Sequence, residues 1–210
     1  MPAYAASGFK VRGIYDPNLD KAHELVEQHG FAVYISVQQA AGQKNTIFDL
    51  ATPPAAHKDI LGILPKGAEV LIQKPMGSDL ANATQIMDIC RIRSLKAAVN
   101  FQLRFSPMML ALRDAIDTDL LGEVVDFDAW MALDTPWSLW GFLDGLPRVE
   151  ILMHSIHYFD FIRSILGNPK GVHAKTMGYP NRATSNTRTA AILDYGDSVR
   201  CALLPIGDNL

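Results

Sequence analysis

Val70-Leu71-Ile72, followed by Gln73-Lys74-Pro75-Met76-Gly77, constrains this chain more than any other stretch. Three consecutive apolar residues without polar alternation describe a central strand of a parallel sheet, covered by helices on both faces. Pro75 has no amide hydrogen for a strand ladder, so pairing ends before it and leaves Lys74 at the carboxyl edge. Open α/β sheets bind their ligands at that edge. A lysine that merely marks a strand end and points into water satisfies the local sequence equally well.

The first hundred residues repeat this unit. Phe9 to Tyr15 reads as a strand, and Asp16-Pro17-Asn18 supplies a turn and a helix N-cap. The following helix sets Leu19, Ala22 and Val26 on one face and closes at Gly30. A short strand near 31–34 and a short helix near 37–41 come next. Thr46 to Ala51 reads as a second inner strand, after which Thr52 can cap, and proline can open, a helix running to about Leu64. Beyond the lysine strand, a helix from Asp79 to Arg93 and a strand from Lys96 to Asn100 complete the pattern. Such alternation specifies a doubly wound parallel sheet.

After Leu103 the rhythm changes, which divides the chain into domains of 1–103 and 104–210. A helix near 107–116 leads to a strand from Glu123 to Leu133, with Val125, Phe127, Ala129 and Met131 on one face and Asp126, Asp128 and Trp130 on the other. Two unlike faces suit an antiparallel sheet. Trp137 and Trp140 lie in a Pro/Gly-bounded loop and could either wall a substrate pocket or pack. A long helix from Val149 to Leu166 and strands near 172–177, 187–195 and 199–204, with a hairpin turn at 194–197, make this an α+β domain with a largely antiparallel sheet.

The chain has 210 residues, with 49% hydrophobic and 20% charged residues and a formal charge of -3. It carries no basic footprint for nucleic acid and no lysine- or arginine-rich run for a membrane surface, so the expected partner is a small molecule. Cys90 and Cys201 have no metal-type spacing and read as reduced, buried thiols. No apolar window approaches 18 residues and no basic-then-apolar leader opens the chain, which makes the cytoplasm the default location.

An acid closing the second strand of a Rossmann unit accepts hydrogen bonds from the adenosine ribose, and Asp16 stands in that place, although a plain turn aspartate reads the same way. The glycine fingerprint should lie about 20 residues before such an acid. Only 15 residues precede Asp16, and no two glycines are spaced G-x-G. The first strand and its phosphate loop are therefore expected upstream of Met1, with Pro2 to Ser7 as the tail of the first helix. Glu150, His154 and His157, at i, i+4 and i+7, would form one polar stripe on an apolar helix and line a cleft. Two histidines and a carboxylate can hold zinc. The segment is not H-E-x-x-H, and no metal is assigned. His57, Asn100, Gln102 and Arg104 taken singly read as surface or capping residues.

Taken together, Ile14-Tyr15-Asp16-Pro17, Ala51-Thr52-Pro53-Pro54-Ala55-Ala56-His57, Gln73-Lys74-Pro75-Met76, Val99-Asn100-Phe101-Gln102-Leu103-Arg104-Phe105, Leu121-Gly122-Glu123 and His154-Ser155-Ile156-His157-Tyr158-Phe159-Asp160 resemble the Gfo/Idh/MocA family of oxidoreductases. The resemblance implies an N-terminal Rossmann domain, a C-terminal α+β domain, and oxidation of a sugar or cyclitol hydroxyl with NAD or NADP. It implies Lys74 and His157 as the catalytic pair. Asp16, Thr52, Pro53, His57, Gln73 and Asn100 would line the dinucleotide, with Asp16 favouring NAD over NADP. Gln102, Arg104, Trp137 and His154 would face the substrate, and the C-terminal sheet would support a homo-oligomer. Some relatives are regulators, so a non-catalytic binder of nucleotide or sugar is the second reading. Gln73 replaces the family's glutamate, which removes a carboxylate and should let Lys74 titrate lower. Met153 stands where many relatives place aspartate. Family chains are longer, so the sequence reads as a fragment.

Overall fold

The computed structural model describes residues 2–133, 135–136, 139–143, 146, 148–178 and 186–207. The chain divides into two compact units, Met1–Ile72 with Asp79–Ala98, and Gln73–Ser78 with Val99–Leu210.

The first unit contains α1 (Pro2–Ser7), β1 (Gly13–Ile14), α2 (Leu19–His29), β2 (Ala32–Val33), α3 (Val37–Ala41), β3 (Ile47–Leu50), α4 (Pro54–Ile63), β4 (Glu69–Ile72) and α5 (Leu80–Ile92), with most of β5 (Lys96–Val99). Local chemistry sets the helix ends. Asn18 accepts the Lys21 amide to cap α2, and Gly30, at φ 72°, donates its own amide to Val26 O to close it. Asp79 caps α5 in the same way, accepting from the Asn82 amide at 2.7 Å. Thr52 does not cap α4. Pro53 holds the cap position and no side chain bonds there, because the helix starts one residue later than a threonine cap requires.

β1 lies parallel to β2 and β3 parallel to β4, with β5 beside β4. The first strand is only two residues long, rather than Phe9 to Tyr15, and Phe9 is exposed. Gly13 is required in it. A Cβ there would lie 2.6 Å from both Ala32 O and the Tyr34 ring. The core is built from Ala22, Leu50, Leu61, Leu64, Val70, Ile72 and Ile86, all buried. Each fully buried leucine or isoleucine contributes about 1.5–3 kcal/mol.

The second unit runs through a 3₁₀ turn (Gln102–Phe105), α6 (Pro107–Asp117), β6 (Asp126–Leu133), a short 3₁₀ turn (Gly141–Leu143), a π-helical turn (Ile151–Ser155) that continues as α7 (Ile156–Leu166), and then β7 (Gly171–Met177), β8 (Arg188–Asp194) and β9 (Arg200–Gly207). Its sheet has the order β6-β9-β8-β7. β7 with β8 and β8 with β9 are antiparallel, whereas β6 runs parallel to β9. The antiparallel reading of β6 is thus corrected. Alternation reports one covered and one open face, with Ala129 and Met131 buried and Trp130 exposed, and carries no information on the neighbour's direction. On the covered face, Tyr158, Phe159 and Ile162 of α7 pack against Ala129, Ala191, Leu193, Cys201 and Leu203. The β8–β9 hairpin turns at Gly196, φ 78°, whose amide donates to Asp194 Oδ1. Both cysteines are free thiols; Cys201 is buried as expected, but Cys90 is only half-buried. Among the described residues no helix is long and apolar enough to cross a membrane.

Candidate active site

In the first unit the flagged residues follow the carboxyl ends of strands. Asp16 comes just after β1, and its Oδ1 accepts the Asn18 amide at 2.7 Å, which forms the turn into α2. Thr52 and Pro53 follow β3. His57, on α4, is wholly buried with its Nε2 3.0 Å from Thr52 O, so it supports the loop from beneath. The Thr52 hydroxyl is buried with no hydrogen-bond partner. Buried polar groups without partners are uncommon, and a polar ligand at this edge would satisfy it.

In the second unit the exit of β4 meets α7 and the π turn before it. Asn100 donates from its side-chain amide to Gln73 Oε1 at 2.9 Å. Lys74 Nζ donates to the Met153 carbonyl at 3.1 Å. Burial pushes the Lys74 ammonium below the ordinary lysine range. Replacement of the family glutamate by Gln73 led to the same direction; the cause is desolvation. His157 is 8% exposed and meets the Phe101 ring edge-on, with centroids 6.1 Å apart. Burial lowers the His157 pKa, the Lys74 charge lowers it further, and Asp160 opposes both. His157 Nδ1 is buried without a partner.

Arg104, on the 3₁₀ turn, grips Asp160 of α7 through Nε to Oδ2 at 2.8 Å and Nη2 to Oδ1 at 2.5 Å. Gln102 is exposed on the same turn, and His154 is half-buried. Trp137 lies outside the described residues.

The expected stripe of Glu150, His154 and His157 does not form as an α-helical row. The turn Ile151–Ser155 is π-helical, with the Ile156 amide donating to Ile151 O five residues back. Glu150 instead receives the Ser155 hydroxyl at 2.6 Å, and both residues are buried. Burial raises the Glu150 pKa, against the hydrogen bonds from Ser155 and Thr189 that lower it.

The fold therefore gathers Gln73, Lys74, Asn100, Arg104 and His157 within one unit. The sequence reading missed three contributors. Phe101 lay between two flagged residues, and Asp160 lay in a quoted segment without a role. The Met153 carbonyl is a backbone atom and leaves no trace in side-chain patterns.

Residues 1–101 match the profile of the oxidoreductase family with an NAD-binding Rossmann fold, Gfo/Idh/MocA. Those residues belong to the Gfo/Idh/MocA family. The inositol 2-dehydrogenase of Streptomyces avermitilis is 31% identical over 121 residues, covering 56% of this chain and 35% of that protein. The trans-1,2-dihydrobenzene-1,2-diol dehydrogenase of Sus scrofa is 25% identical over 191 residues, 87% of this chain and 56% of the relative. A solved WlbA dehydrogenase from Bordetella pertussis, in complex with NADH and UDP-GlcNAcA, superposes with a TM-score of 0.85 at 17% identity over 99% of this chain and 66% of that one. Beyond the Gfo/Idh/MocA match itself, that superposition establishes a shared fold through the second unit as well. In each case the chain spans less than two thirds of the relative's length.

Proposed function

We propose that this protein is an NAD-dependent oxidoreductase that moves a hydride between a sugar- or cyclitol-type hydroxyl and a nicotinamide. The observation that carries the reading is the half-buried Lys74 ammonium held beside His157, whose Nδ1 is buried and unpartnered. A bare carbohydrate binder has no need of a charged amine and a depressed imidazole in one site. Alcohol oxidation does, because a proton must leave the hydroxyl while negative charge grows on its oxygen.

In the first unit Asp16, Thr52 and Pro53 would contact dinucleotide, with His57 supporting the Thr52 loop and the orphaned Thr52 hydroxyl fitting a polar ligand; in the second unit Gln73 and Asn100 would do so. Bound nicotinamide supplies the hydride acceptor. His157, kept neutral by burial, is able to take up the hydroxyl proton, and the Lys74 ammonium stabilises the developing oxyanion. Asp16 would prefer NAD, since a carboxylate accepts from ribose hydroxyls and repels a 2'-phosphate.

The test is a panel of sugars and cyclitols with NAD and NADP, followed at the nicotinamide absorbance. NAD-dependent turnover of a member of the panel is expected, with a loss on the order of a hundredfold or more in kcat for Lys74→Met. Wild-type turnover in Lys74→Met would remove Lys74 from the chemistry, and absence of turnover across the whole panel would shift the reading to a non-catalytic binder. Equal use of NADP and NAD would remove the role given to Asp16.

A further inference from the structure

The π turn Ile151–Ser155 delivers the acceptor for Lys74, and one buried contact fits that turn alone. Residues i and i+5 of an α-helix stand about 140° apart around the axis, so their side chains do not meet. Glu150 and Ser155 are five apart and yet are joined at 2.6 Å, the carboxyl 1% exposed and the hydroxyl 0%. Their contact requires the wider i to i+5 winding that Ile156 N and Ile151 O also show. Relaxation of that winding to an α-helix would tear a buried hydroxyl from a buried carboxyl and leave the hydroxyl unsatisfied, with Thr189 the carboxyl's remaining side-chain partner. On the same turn the Met153 carbonyl accepts from Lys74 Nζ at 3.1 Å. That carbonyl lies within the wide winding, three residues past Glu150 and two before Ser155.

We propose that Glu150 and Ser155 form a clip that holds the π turn open, so that the Met153 backbone carbonyl, in place of a side-chain carboxylate, holds the Lys74 ammonium in position. Both are positioning residues, since neither reaches Lys74 itself. The proposal rests on the reading of Lys74 as the catalytic amine, but its geometry is testable without turnover. His157 and Asp160 are the titratable groups that share this site, and Asp160 is held by Arg104.

The experiment labels Lys74 with a formaldehyde and cyanoborohydride pulse near neutral pH in the cofactor-free chain, read by peptide mass spectrometry. An ammonium that loses its acceptor is less favoured, so more free amine is present and labelling quickens. Ser155→Ala and Glu150→Leu should each raise the Lys74 labelling rate about tenfold or more, the weight of one hydrogen bond to a charged donor. The double variant should do no more than either alone. Ser155→Thr and Glu150→Gln, which keep a hydroxyl and an acceptor, should label like the wild type. Wild-type labelling in folded Ser155→Ala would overturn the clip. Should that variant fail to fold, Ser155→Cys, of similar size and weaker donation, takes its place with the same criterion. If no substrate of the panel is turned over by the wild type while the labelling pattern holds, the clip stands and the catalytic reading falls.

Discussion

Arg104 and Asp160 form a two-pronged ion pair, the guanidinium on a 3₁₀ turn and the carboxylate on α7, with Asp160 only 13% exposed. Arg104 also donates to the Asp160 carbonyl at 3.2 Å. One side chain thus ties the start of α6's leading turn to the helix that carries His157.

That pair makes Arg104 primarily a strut. Arg104→Ala leaves a mostly buried carboxylate without its partner and should lower unfolding free energy by about 1–3 kcal/mol, less than for a fully buried pair because Arg104 is partly open to water. Arg104→Lys should restore little of it, since an ammonium cannot span both oxygens. Denaturant midpoints check this. A raised KM with unchanged stability would instead assign Arg104 to substrate contact.

His157 should make stability depend on pH in a definite direction. Its folded pKa lies below the unfolded value, so as pH falls through about 6.5 the unfolded chain binds a proton that the folded chain refuses. Stability is lost on acidification across that window and levels off below the folded pKa. Urea midpoints at pH 7.5 and 5.5 should differ less in His157→Gln than in the wild type. An equal difference in the two proteins would contradict the assignment.

The two thiols should separate by reactivity. The Cys201 pKa is pushed up to about 11 by burial first and then by the Asp128 and Asp126 charges, with Arg200 opposing. Its sulfur is also shielded from solvent. Iodoacetamide at pH 8 should modify half-buried Cys90 first and reach Cys201 only on unfolding. Peptide mapping over a time course reads the order.

Gly13→Ala should cost about 1–3 kcal/mol by overpacking, because the new methyl would meet the Ala32 carbonyl and the Tyr34 ring, and a paired backbone carbonyl cannot move aside. A thermal melt is sufficient. No change in midpoint would mean that the β1–β2 pair shifts freely.

Elements written in local chemistry were legible from sequence. Asn18, Gly30, Asp79 and Pro54 announce helix ends within a few residues, and Val70 with Ile72 mark an inner strand whatever lies around them. Long-range features were not. Arg104 and Asp160 are 56 residues apart, and neither betrays its partner. The direction of β6 is set by strand order, to which residue alternation is blind. The π turn was the sharpest miss: a 3.6-residue period assumes uniform winding, and the winding widens in mid-helix where Glu150 and Ser155 meet. Of the site, Lys74 was marked by its place at a strand end and His157 by its place on a located helix, whereas Gln73 and Asn100 were named through the family resemblance. Their backbone acceptor was beyond such patterns.

The backbone passes between the two units after Ile72, after Ser78 and after Ala98. A single scission of the polypeptide therefore cannot release either unit whole, and no one-point gene fusion or circular shuffle could exchange one of them for a foreign counterpart. Synthesis has an order too. The ribosome makes Lys74 well before Met153, 79 residues later, so the amine emerges with its anchor still unmade and joins it only after most of the chain exists. Completion of the Lys74 setting is thereby tied to synthesis of the second unit at least as far as Met153.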